Sequence, residues 1–168
     1  MTGSDPGRIG PVPKWRCEPL AALPPVMLYR ALALRSSVFV VEQACIYQDA
    51  DGSDIDALVV IGSLPGIGDG VDGDEVVATA RVLPPGSRYA EASIGRVCTS
   101  AGHRGRGLGR MLVAFAIDVA RAHHPRHGVR ISAQAYLERF YRSFGFEPVS
   151  PQYLEDGIPH LEMRLPPL

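Results

Sequence analysis

Arg104-Gly105-Arg106-Gly107-Leu108-Gly109-Arg110 is the stretch that decides the fold. An apolar, strand-like run from Ile94 to Cys98 precedes it. A strongly amphipathic helix follows, with Leu108, Met111, Leu112, Phe115, Ala116 and Val119 on one stripe. Three glycines allow a tight turn and let backbone N–H groups come close to a ligand. The start of the helix adds unpaired N–H groups and the positive end of its dipole. With three arginines in the same segment, the sequence predicts a local site for a polyanion, a pyrophosphate above all.

Working outward, Val129 to Ala135 reads as the next strand, so the centre of the chain is a strand, glycine loop, helix, strand unit. Upstream, Trp15 to Glu18 predicts a strand, and Pro24-Pro25 opens a helix that runs to Val41 or Glu42. Asp56 to Ile61 and Val76 to Leu83 predict two more strands, joined by the Gly/Pro/Asp-rich stretch from Gly62 to Asp74. Downstream, Leu137 to Phe144 predicts a short helix closed by Gly145. Phe146 to Val149 and His160 to Leu165 are the last expected strands, with a turn signal at Asp156-Gly157. The order β-α-β-β-β-α-β-α-β-β is that of an α/β domain around a mixed sheet. Residues 1–13 predict a disordered tail, and 14–168 a single domain.

Composition bounds the function. The chain has 168 residues, 46% of them hydrophobic and 21% charged, as expected of a globular protein with a sizeable core. A net charge of −1 gives no global pull toward nucleic acid or membrane, so any anion site is local. No secretory leader or long apolar span is evident, and Cys17, Cys45 and Cys98 fit neither a zinc pattern nor a complete disulfide framework. A cytoplasmic protein with free thiols and no metal is the expectation.

The glycine loop is not a Walker A element, because no Gly-Lys-Ser/Thr follows, and its G-x-G-x-G spacing departs from the dinucleotide fingerprint. Taken alone, it is equally open to reading as a solvated Arg/Gly surface turn. Arg104-x-x-Gly107-x-Gly109, however, resembles the R/Q-x-x-G-x-G/A signature of the GNAT superfamily of N-acetyltransferases. Phe140-Tyr141-x-x-x-Gly145-Phe146 resembles the superfamily's closing helix-to-strand element. Val38 to Gln43, Tyr47-Gln48-Asp49-x-Asp51-Gly52, Ile94 to Val97 and Glu155 to His160 add a likeness to its ElaA-type branch, spanning most of the chain after residue 25.

The resemblance implies a GNAT fold: a mixed, mostly antiparallel sheet of about seven strands flanked by helices, splayed between the fourth and fifth strands by a bulge. It implies acetyl-CoA as donor, with Arg104, Gly105, Arg106, Gly107, Leu108, Gly109 and Arg110 on its pyrophosphate. The strand edge at Val97, Cys98 and Thr99 would pair with the pantetheine amides. The implied partner is a small-molecule or peptide amine, not nucleic acid or membrane. A homodimer through the sheet edges or the first helix stays open, as does a noncatalytic acyl-CoA sensor on the same fold.

Acetyl transfer to an amine requires deprotonation of an ammonium whose ordinary pKa is about 10.4. The carbonyl must be polarised, for which the N–H of Val97 or of Cys98 is available, and the departing thiolate must take a proton. The resemblance gives that last task to Tyr141, a phenol protonated at neutral pH. Phe140 and Phe144, four apart, are expected to face the core and turn Tyr141 away from it. Glu42 and His160 are the candidates for the base, with solvent as a third route, and Glu42, Gln43 and His160 fall on the acceptor side. A helix-end carboxylate and a strand-surface histidine are the plainer readings of the two bases. Asp49, Asp51, Asp54 and Asp56 lack the spacing of a calcium loop and are expected to form a solvated acidic loop that attracts a cationic acceptor. His123, His124 and His127 read as a polar helix end, and Cys98 as small packing.

Overall fold

The structure, a computed structural model, describes residues 12–66 and 73–168. The expected tail over residues 1–13 lies almost wholly outside the described residues, as does the middle of the 62–74 connection. Eight strands form one sheet: β1 (Lys14–Pro19), β2 (Leu58–Leu64), β3 (Glu75–Leu83), β4 (Ala92–Thr99), β5 (Val129–Gln134), β6 (Glu147–Pro148), β7 (Tyr153–Glu155) and β8 (Ile158–Leu165). The helices are α1 (Pro25–Arg35), α2 (Leu108–His123) and α3 (Glu138–Arg142). The sheet runs β1-β2-β3-β4-β5-β8-β6, with β7 also on β8. Every pairing is antiparallel except β4 with β5, the pair joined through α2.

Alternation along β2 sorts the two faces. Val59 and Ile61 pack with Leu23, Ala31 and Val76 on the α1 side, whereas Val60 joins Leu112, Val113 and Ala116 of α2 on the other. Helix α2 starts where Gly107 takes a left-handed φ of 76°, and it stops at His124, whose backbone (φ −134°, ψ 56°) leaves the helical region ahead of Pro125. Helix α1 keeps α geometry only to Arg35 and continues as a π-helical segment, Ser36–Glu42, where a single α-helix was expected. Such segments are rare and gather at functional sites.

Among the described residues the sheet of about seven expected strands has eight, the additional one being Tyr153–Glu155, which pairs with β8 in register Tyr153↔His160. The Asp156-Gly157 turn therefore joins β7 to β8, with Asp156 at φ 51° and Gly157 at 76°, and does not join the strand beginning at Phe146 to the last one. Strand β2 also begins and ends later than expected.

The splay between β4 and β5 is present. Only Ala92↔Val129 and Ser93↔Arg130 pair, and the strands part beyond them. On its other edge β4 carries a bulge. Thr79 pairs with Cys98 and Arg81 with Gly95, so Arg96 and Val97 together oppose Ala80. Arg96 takes a left-handed φ of 50° there.

Candidate active site

A cleft of about 550 Å³ lies at the splay. One end is the Arg104–Arg110 loop, its middle is the open edge of β4 with Tyr141 of α3, and the other end holds Glu155, Asp156 and His160.

At the loop end, Gly105 and Gly107 both have left-handed φ, 78° and 76°. A Cβ built on Gly105, Gly107 or Gly109 meets nothing within 4 Å, so this face of the loop is open. The first intrahelical bond runs from Met111 N–H to the Gly107 carbonyl at 3.1 Å, leaving the N–H groups of Leu108, Gly109 and Arg110 without helical acceptors. The arginines divide. Arg104 donates to both carboxylate oxygens of Glu42, at 2.6 and 3.0 Å, and to the Thr99 carbonyl at 3.1 Å. Arg110 donates to Ser143 Oγ at 2.8 Å and lies over the Phe144 ring. Arg106 is exposed. The open N–H groups and exposed arginine fit a pyrophosphate, although Glu42 already balances part of the positive charge.

Along β4, the Ser100 N–H donates to the Val77 carbonyl at 2.8 Å, on the β3 side. Antiparallel alternation then turns the Cys98 backbone toward β3 and that of Thr99 into the gap, while Val97 sits in the bulge and lines the cleft. Of the two N–H groups considered for polarising a carbonyl, that of Cys98 is therefore turned away, which leaves Val97 as the candidate. The Cys98 side chain is buried, and burial pushes its thiol up to about 12, which makes it an inert packing group.

Tyr141 is only 6% exposed, with edge-on contacts to Phe140 and Phe146. The expectation that it points away from the core is wrong: Phe140 and Phe144 are the half-buried pair and Tyr141 is buried, though it still lines the cleft. Helix α3 has only five residues, too few for a spacing rule to fix its inner face. Burial, with a smaller effect of Tyr136, raises the phenol well above its ordinary value.

Glu42 and His160 both line the cleft, but their surroundings differ. The bonds from Arg104 hold the Glu42 carboxyl below its ordinary range, which weakens it as a base. His160 Nδ1 lies 2.8 Å from the Ile158 carbonyl. A carbonyl only accepts, so Nδ1 carries the hydrogen and Nε2 holds the lone pair of the neutral ring. Tyr153 stacks on this ring, and its hydroxyl lies 2.6 Å from Ser132 Oγ, which donates to Glu155 at 2.8 Å. Gln43 accepts from Gln134 Nε2 at 3.2 Å, linking the π-helical segment to β5.

The acidic loop is the largest departure from the sequence reading. Asp49, Asp51 and Asp54 are held by arginines, while Asp56 stays exposed. Arg35 is 3% exposed and grips Asp54 with two bonds, 2.7 and 3.1 Å, and Asp49 through Nε at 2.8 Å. Arg81, 4% exposed, takes Asp51 with two bonds, 2.7 and 2.8 Å. Arg96 reaches Asp49 at 2.8 Å and Asp51 at 3.2 Å. The Arg81 bonds hold Asp51 well below its ordinary range. Sequence reasoning missed all three arginines, although Arg35 on an otherwise apolar helix stripe was a signal that a buried charge needed partners. Among the described residues no three His, Cys, Asp or Glu side chains could hold a metal together.

Comparison with known proteins agrees with this geometry. The family described as Acetyltransferase (GNAT) domain matches residues 72–166, more than half of the chain. The chain belongs to the GNAT acyltransferase family. Within it, Escherichia coli ElaA is 43% identical over 138 residues, covering 81% of this chain and 85% of that protein. A UPF0039 protein of Synechocystis is 43% identical over 142 residues, covering 83% and 88%. An acyl-CoA N-acyltransferase from Pseudomonas aeruginosa superposes with a TM-score of 0.81 at 39% identity, covering 91% of this chain and 99% of that one. Crystalline E. coli ElaA gives 0.80, also at 39% identity. The GNAT family uses acyl-CoA, in keeping with a pyrophosphate-compatible loop beside a splayed sheet. Among the described residues no helix of this GNAT protein is long and apolar enough to cross a membrane.

Proposed function

We propose that this chain moves an acetyl group from acetyl-CoA to a primary amine, by direct attack, in a reducing cytoplasm. The observation that carries the reading is the continuity of the cleft, from the open N–H groups of the glycine loop, past the Val97 edge and Tyr141, to His160. Acetyl-CoA supplies an acyl carbon already activated as a thioester. The N–H groups from Gly105 to Arg110, with Arg106 and Arg110, hold its pyrophosphate, and the backbone of Val97 and Thr99 pairs with its pantetheine arm. The Val97 N–H polarises the carbonyl. His160 Nε2 takes the proton of the amine, and Gln43, bonded to Gln134 beside His160, flanks the acceptor. The Tyr141 hydroxyl gives its proton to the sulfur. A phenol is in the acid form at neutral pH, which is the form this step needs, and burial holds the proton more tightly still. Glu42, held as a carboxylate by Arg104, balances charge at the loop and is not the base.

Calorimetric titration with acetyl-CoA and, separately, NAD and ATP tests the donor. A panel of amines with thiol release as readout then tests transfer. Selective acetyl-CoA binding followed by turnover is expected. Failure of the folded protein to bind acetyl-CoA would overturn the donor assignment. Tight binding without turnover on any amine would point to an acyl-CoA sensor.

A further inference from the structure

Arg96 is an unusual choice for a bulge. Its left-handed backbone is one that glycine accepts freely and a long side chain does not. Its side chain explains how the position is held. The guanidinium reaches Asp49 Oδ1 at 2.8 Å, donates to Asp51 Oδ2 at 3.2 Å, and lies over the Tyr47 ring with its centre 4.8 Å away. These partners are themselves fixed. Asp51 is clamped by Arg81 of β3, and Asp49 by Arg35 of α1. Arg35 and Arg81 are almost wholly buried, so the network is mounted on the core, with Asp51 exposed at its outer side.

The next residue is Val97, which lines the cleft and whose N–H is the candidate for polarising the carbonyl. A bulge residue that rotated out of the left-handed region would turn this N–H and shift the edge of β4. We propose that Arg96 is a positioning residue: the Asp49–Asp51 clamp on its side chain imposes the bulge backbone and so aims the Val97 N–H at the acyl group. The inference rests on the acetyl-transfer reading of the cleft. It adds a function for the acidic loop, which acts on the reaction through Arg96 without touching the substrate.

Three full-length variants test it: Arg96→Ala, Arg96→Gly and Asp51→Asn. Each is read by kcat, by KM for acetyl-CoA and by the Val97 amide resonance of 15N-labelled protein. Loss of alignment in Arg96→Ala should lower kcat by about 10²-fold, the scale of a misplacement near 1 Å. KM should change little, because the pyrophosphate loop is untouched. Arg96→Gly, which loses the same ion pairs but adopts the bulge backbone freely, should recover most of kcat. A purely structural role of the ion pairs would impair both variants alike, and that result overturns the proposal. Asp51→Asn should shift the Val97 resonance and lower kcat; a wild-type resonance and rate in this variant also overturn it. The resonance comparison needs no turnover, so it decides the positioning claim even if no amine proves to be a substrate, an outcome that would instead count against the transfer reading.

Discussion

Replacing Arg35 with methionine removes a buried cation while keeping most of its side-chain volume. Arg35 is 3% exposed and its guanidinium makes two bonds to Asp54, one to the Asp49 carboxylate and one to the Asp49 carbonyl. In Arg35→Met the nearest remaining cation to Asp54 is Arg81, at 3.5 Å, and Asp49 keeps only Arg96. Removing one partner of a buried pair costs about 3–5 kcal/mol, because the other charge stays desolvated. With a denaturant slope of roughly 2 kcal/mol per molar urea, the unfolding midpoint should fall by about 1.5–2.5 M. The melting temperature should drop by roughly 6–20 °C for a chain of this size. Equilibrium urea unfolding followed by circular dichroism measures the first value directly. A loss below about 1 kcal/mol is what exposed ion pairs give. That result would mean that water enters the network, and the account of a network mounted on the core behind β4 would fail.

Two further predictions concern the cleft. Gly107→Glu should abolish acetyl-CoA binding, since it adds bulk and negative charge on the open face of the loop at a residue with φ 76°; unchanged affinity by calorimetry would refute the loop assignment. Tyr141→Phe should retain binding and lower kcat by about 10²–10⁴-fold, the usual worth of a general acid. The pH dependence follows from the direction of the phenol's shift. An acid must be protonated to act, and burial raises Tyr141 above its ordinary value, so wild-type kcat should show no alkaline loss from this group below about pH 10. An unchanged rate in Tyr141→Phe would reduce the residue to packing.

The parts legible in the sequence are those set by local rules. The glycine loop and α2 could be read because left-handed backbone at residues 105 and 107, and a six-member apolar stripe, are written within one short stretch. The splay was implied by a family resemblance and not by periodicity. The Asp49–Asp54 network was not legible, because its pairs join residues 14 to 47 positions apart and no local pattern distinguishes a paired aspartate from a solvated one. Strand β7 was missed because three residues after Pro151 are too few to show alternation. The inner face of α3 was misjudged for the same reason of length. At the acceptor end, His160 and Glu42 had equal standing in the sequence. They separate only when Arg104, 62 positions from Glu42, and the carbonyl of Ile158 are seen beside them.

The parting of β4 from β5 also bears on how the molecule avoids its own kind. Bare strand edges ordinarily recruit other chains and seed aggregation. Here the unpaired backbone groups face inward across a V that is closed at its base by two residue pairs. A stranger's sheet would have to satisfy one arm while colliding with the other. A thin linear molecule meets no such conflict and can bond to both. The same geometry that leaves the sheet unfinished thus leaves the gap too narrow for a second sheet to pair within it.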